Sequence, residues 1–144
     1  MYTGLVHAHS GLRWVALLLL LAAVFVSISR WLGAKSFTDG NRKLYLFTLI
    51  SVHLQLVLGL ILYFISPKVN FSALSERVIR FYTVEHISIM LLAIIAITIG
   101  YSRSKRATDD TGKHRLVSIC YGIGLVLILA GIPWAFRNLG AANV

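Results

Sequence analysis

Five histidines stand out in a chain that offers few other side chains able to do chemistry: His7, His9, His53, His86 and His114. Two of them lie within long apolar stretches, where an ionisable side chain is costly enough to mark a pathway, a cofactor or a buried partner. The stretch around His53 runs from about Leu44 to Ile65, so at a rise of 1.5 Å per residue His53 falls about 2–3 Å from its middle. His86 sits roughly 9 Å inside a third stretch if that helix begins at Arg80, and closer to its middle if the helix begins near Leu74. Neutral imidazoles from two helices at similar depth are what a b-type haem needs, along with an apolar slot for the ring and cations for the propionates. His53 and His86 are therefore the first choice of ligands to a haem iron. His9 is the third candidate, as a ligand or a quinone contact, because Arg13 lies four residues on and shares its helix face. Arg13, Arg77 and Arg80 are the cations placed to meet propionates.

Each of these residues has an ordinary alternative. His53 could serve only as a hydrogen-bonding group toward a neighbouring helix, since Ser51 and Gln55 on its own helix point elsewhere. His86 stands beside Glu85, a pair that could carry a proton or hold a quinone ring. His9 could be a plain interfacial residue. His114, between Lys113 and Arg115, reads as headgroup-facing and solvated, and His7 reads as a residue near the terminus without a role. Gly59, Gly100, Gly122, Gly124 and Gly131 would let a flat macrocycle approach the backbone, but small residues also serve close helix–helix contact. Tyr45, Tyr63, Tyr82, Tyr101, Tyr121 and Trp134 fall toward the ends of apolar stretches and read as interfacial belts.

The elements that must position these residues follow from composition. With 144 residues, 58% hydrophobic, 13% charged and a mean hydropathy of +0.80, the chain is too apolar for an ordinary soluble domain. A membrane span takes about 20 apolar residues, so the length accommodates four spans with short connections and no soluble catalytic lobe. The expected spans are about 12–32, 44–65, 80–101 and 116–136, forming one all-α, integral membrane four-helix bundle of up-down-up-down topology. Ser66-Pro67 closes the second, and Pro133 kinks the fourth near its end. Arg30, Lys35, Arg42 and Lys43 in the first loop join Arg103, Lys105, Arg106, Lys113 and Arg115 in the third, against Arg13, Lys68, Arg77, Arg80 and Arg137 on the other side. The positive-inside rule then puts loops one and three in the cytoplasm and both termini on the periplasmic side of a bacterial inner membrane.

The net charge of +9 does not point to nucleic acid, because the basic residues crowd span ends, where they fix topology and meet anionic headgroups. Cys120 is the single cysteine, which excludes an internal disulfide, a cysteine-based zinc site and a cysteine-ligated iron–sulfur cluster. There is no P-loop, no H-E-x-x-H and no nucleophile elbow.

The motifs His-Ser-Gly-Leu-Arg-Trp (His9 to Trp14), His-Leu-Gln-Leu-Val-Leu-Gly-Leu-Ile-Leu-Tyr-Phe (His53 to Phe64), Val-Glu-His (Val84 to His86) and Ala-Gly-Ile-Pro-Trp (Ala130 to Trp134) bear a resemblance. The chain resembles the small four-span cytochrome b-like proteins common in Bacteroidetes and, more loosely, is similar to the cytochrome b561 and CopD-like membrane families. The resemblance implies haem held by histidines on facing helices, with His9, His53 and His86 as ligand candidates, and electron exchange with quinone. The fourth span departs from the dihaem pattern because its membrane core has no histidine, which points to one haem, or none, in place of two.

Two readings from different classes follow. The first is an electron-transfer protein with one b haem on His53 and His86, exchanging electrons with quinone near His9 and Arg13. The second is a haem-free accessory or scaffold subunit whose outer faces dock other membrane subunits or a second copy. A copper importer would want soft ligands, of which the chain has only Met1, Met90 and Cys120. A proton transporter would need more buried acid than Glu85.

Overall fold

In lipid a backbone must satisfy its polar groups internally, so long apolar runs fold as helices and end where a residue denies the next hydrogen bond. The computed structural model describes residues 1–139, and four helices in it are long and apolar enough to cross a membrane. They are α1 (Tyr2–Leu32), α2 (Asp39–Ile65), α3 (Arg77–Arg106) and α4 (Asp110–Gly131). Thr38 caps α2 through a reciprocal bond with Asn41, and Asp109 caps α4 by accepting from the Gly112 N–H at 2.6 Å. Both proline stops operate through the preceding residue: Ser66 and Ile132 are extended, with ψ of 132° and 133°.

Only the ends of α1 and α2 fall where expected: α2, α3 and α4 begin at Asp39, Arg77 and Asp110 instead of near Leu44, Arg80 and Leu116, α3 continues past Tyr101 to Arg106, and two further boundaries differ. Helix α1 begins at Tyr2 instead of Leu12; its first turns put Tyr2, His9, Ser10 and Arg13 on the cavity side, polar groups that hydropathy does not count toward a span. Helix α4 ends at Gly131 instead of continuing to Phe136: Pro133 terminates it, and a short 3₁₀ turn, Ala135–Arg137, follows. Helix α3 contains one π turn, Phe81–Glu85, immediately before His86.

The helices form a ring in which α1 packs against α2 and α4, α3 packs most extensively against α4, and the α2–α3 seam is the lightest. That leaves α1 facing α3, and α2 facing α4, across the bundle axis. Close approach of α3 and α4 depends on glycine: a Cβ at Gly124 would lie 2.5 Å from Ile97 Cγ1, and one at Gly100 would lie 2.5 Å from Cys120 Cβ.

The dry core occupies the half of the bundle near loops one and three: Leu20, Ala23, Tyr45, Ile97, Val117 and Tyr121 are fully buried there. Large apolar side chains such as Phe25, Leu92, Ile95 and Val126 point outward, as a lipid-facing surface requires. Tyr45 and Tyr121 correct the interfacial-belt expectation. Both are 0% exposed, and the Tyr121 hydroxyl donates to the Tyr45 carbonyl at 2.7 Å, joining α4 to α2 across the axis.

Gly124→Ala should therefore cost about 1–3 kcal/mol through overpacking. Gly122→Ala, with nothing within 4 Å of the added carbon, should leave stability unchanged or raised. Thermal unfolding of the purified variants in one detergent distinguishes the two positions.

Candidate functional site

The other half of the bundle is hollow. A cavity of about 210 Å³ is lined by all four helices. Its walls and floor are apolar, with Ala16, Leu17, Val52, Ile94 and Ile128 at the deep end, and its polar belt comprises His9, Arg13, Gln55 and His86. Tyr2, Ser66, Lys68 and Tyr82 surround the outer rim, where the Tyr2 and Ser66 hydroxyls are 3.1 Å apart and the Lys68 ammonium lies 5.0 Å from the Tyr82 ring centre. Among the described residues no aspartate or glutamate lines it, whereas Arg13 and Lys68 do.

His9 reaches the cavity from α1 and His86 from α3, the two helices that face each other across the axis. The His9 ring lies against the backbone of α2, where a Cβ on Gly59 would come within 3.1 Å of its Cε1. Gln55 anchors the same turn by donating from Nε2 to the His9 carbonyl at 2.8 Å. His86 donates from Nδ1 to the Gly131 carbonyl at 2.8 Å. A carbonyl only accepts, so the proton must be on Nδ1, and the lone pair of neutral His86 is on Nε2. The π turn that precedes His86 is held in place by Tyr63, whose hydroxyl donates to the Thr83 carbonyl at 2.8 Å, and by Asn70, whose N–H donates to the Thr83 hydroxyl at 3.0 Å. Such turns often accompany functional sites because they re-aim the residues after them.

Three buried polar atoms of the belt have no partner among the described residues: His9 Nδ1, Arg13 Nε and Gln55 Oε1. A buried group left unpaired costs about 1–3 kcal/mol, so these three atoms are the open hydrogen-bonding positions of the belt.

His53 is not part of this arrangement. Its Nδ1 donates to the Leu49 carbonyl at 2.8 Å, its Nε2 lies 3.4 Å from the Thr98 hydroxyl, and it does not line the cavity. Thr98 is twelve residues beyond His86 on α3, about 18 Å along the helix axis. The structure therefore brings His86 together with His9 and Arg13, and not with His53. Arg77 and Arg80 are outside the cavity as well, and Arg80 pairs with Glu85 at 3.0 Å on the partly exposed surface, which removes Glu85 from the bundle interior.

His114 also departs from expectation, since it is 0% exposed. Its Nε2 donates to the Ser36 carbonyl at 3.4 Å, which leaves Nδ1 to accept from the Tyr45 hydroxyl at 3.0 Å. It is a structural clasp between loop one, α2 and α4. His7 is exposed on α1.

No family model, curated protein or solved structure matches the chain. The chemistry therefore has to be read from the donor set. Among the described residues no three histidine, cysteine, aspartate or glutamate side chains converge on a metal position. An ion coordinated by protein side chains alone lacks ligands, whereas a haem brings four nitrogens of its own and asks for two more. Imidazoles from facing helices, one with its second nitrogen committed to a carbonyl, are the pair that could meet that requirement, with Arg13 in the belt and Lys68 at the rim. Gln55, Lys68, Tyr82 and the Gly131 carbonyl are the members that sequence reasoning missed. The only trace in the sequence was the position of Gln55, four residues before Gly59 and so on the same face of α2.

Tyr45→Phe should leave His114 Nδ1 buried without its donor and cost about 1–3 kcal/mol. Unfolding in detergent should register that loss, while ligand binding in the distant cavity stays at the wild-type level.

Proposed function

We propose that the protein is a membrane electron-transfer protein that holds one b-type haem between His9 and His86 and exchanges electrons with the quinone pool. The observation that carries this reading is the pair of imidazoles, from helices that face each other, lining one largely apolar cavity together with Arg13. Bound there, the haem would supply a one-electron Fe(III)/Fe(II) couple.

The residues divide the remaining work. The Gly131 carbonyl fixes the His86 tautomer and raises the basicity of Nε2, as second-shell acceptors do for metal-ligating histidines. The planar fork of Arg13 suits a carboxylate such as a propionate, and Lys68 adds a second cation at the rim. Gln55 offers an unpartnered acceptor in the same belt, which makes it the candidate contact for a quinol hydroxyl. Ala16, Leu17, Val52, Ile94 and Ile128 exclude water from the deep end. At about 210 Å³ the cavity is tighter than the roughly 300–1,000 Å³ of common ligand sites, so α2 and α3 would have to part along their light seam to admit a macrocycle.

The same narrowness favours the second reading, a haem-free accessory subunit docking other membrane subunits or a second copy. On either reading the basic bias of loops one and three supports a bacterial inner membrane with those loops in the cytoplasm and both termini outside.

The test is a reduced-minus-oxidised visible spectrum, with haem quantified per chain, on protein purified from a haem-sufficient host. One haem per chain is expected, lost at least tenfold in His9→Ala and in His86→Ala and retained in His53→Ala and His114→Ala. Pigment that survives the first pair and disappears in His53→Ala would overturn the assignment. A colourless, folded wild-type protein would transfer the function to the accessory reading.

A further inference from the structure

The last four carbonyls of any helix lack intrahelical partners, and in a buried helix end each must find one. In α4 all four can be followed. Ile128 O accepts from the Ile132 N–H at 3.0 Å, and Leu129 O from the Trp134 indole Nε1 at 2.8 Å. Ala130 O accepts from the Arg137 guanidinium at 2.8 Å, and Gly131 O from His86 Nδ1 at 2.8 Å. Backbone answers the first, and side chains just past the helix answer the next two. Only the fourth recruits a residue from another helix, and that residue faces the cavity.

Pro133 creates this pattern. It has no N–H to give Leu129 O, and it forces Ile132 out of helical geometry, so the turn that would have brought a backbone N–H to Gly131 O never forms. The absence of a side chain at residue 131 lets α3 come close: a Cβ there would sit 2.6 Å from Met90 Cε and 2.9 Å from Ile89 Cγ2. The freed acceptor and the imidazole therefore meet at the point where α3 and α4 touch.

We infer that Pro133 is a positioning residue for His86: by stopping α4 at Gly131 it keeps one carbonyl open, which holds the imidazole proton on Nδ1 and leaves Nε2 to serve the cavity. The consequence for a bound cofactor rests on the haem reading above, whereas the tautomer itself does not.

The experiment uses full-length protein labelled with ¹⁵N-histidine in detergent at about pH 8, where an ordinary imidazole is neutral. Wild type and Trp134→Phe should show His86 protonated at Nδ1. Pro133→Ala, which restores a backbone N–H and lets the helix continue, should shift His86 toward the Nε2–H form, with Pro133→Gly intermediate. In haem-loaded protein, Pro133→Ala should weaken haem retention by about 10- to 100-fold, the usual cost of losing a second-shell partner. It should also raise the midpoint potential, because a less basic ligand stabilises the ferric state less. Trp134→Phe removes a different cap from the same helix end, so a merely structural role would move both variants alike, whereas positioning moves only the proline variants. A wild-type His86 protonated at Nε2, or proline variants with the wild-type tautomer, would overturn the inference. If no variant binds haem, the haem reading fails by itself and the tautomers still decide the role of Pro133.

Discussion

The bundle depends on a hydrogen-bonded crossing of its axis. Tyr45 on α2 gives its hydroxyl to His114 and its carbonyl to Tyr121, both on α4, and His114 passes the connection on to Ser36 in loop one. These three large side chains are fully buried and fill the space between one pair of facing helices. Every polar atom in the crossing has a partner, which is the condition for burying such groups at modest net cost. With one half of the bundle closed in this way, the other half can remain open between α1 and α3, and the polar belt of the cavity lies there.

Two helix irregularities converge on that open half. The π turn of α3 stands directly before His86, and the proline stop of α4 supplies the carbonyl that His86 engages. An uninterrupted α3 would re-aim the ring, and an uninterrupted α4 would consume the acceptor within its own ladder. Departures from ideal helix geometry fall where a side chain has to be held in one orientation, and the regular stretches carry the packing.

Much of the fold was legible in the sequence. Hydropathy located the four helices, and proline marked the ends of α2 and, with an error of a few residues, of α4. The early start of α1 was not legible, because His9, Ser10 and Arg13 of its first turns line the cavity and a hydropathy scale reads such polar residues as solvent-facing. The candidate site was legible in residue type and less so in pairing. His9, Arg13 and His86 were singled out and do meet at one cavity, whereas His53 was grouped with His86 on depth alone. Depth along a span is one coordinate, and the direction a residue faces is another. His53 faces Thr98 on the α2–α3 seam, a direction set by helix neighbours that spacing within a single helix does not reveal. The same blindness to facing made Tyr45, Tyr121 and His114 look like surface groups.

The short connection between α3 and α4 has a consequence for how such a site comes together. Three residues, 107–109, join the two helices, Asp109 caps the second, and glycines let their backbones lie close along the whole contact. His86, the carbonyl that orients it and the proline that frees that carbonyl all belong to this one hairpin. The bond that orients His86 is thus local to this hairpin, with Tyr63 of α2 and Asn70 bracing the π turn from outside it, while the His9 half is delivered by the other hairpin and braced by Gln55 from within it. What the two hairpins contribute on docking is chiefly a distance, the width of the gap between two rings already turned into place.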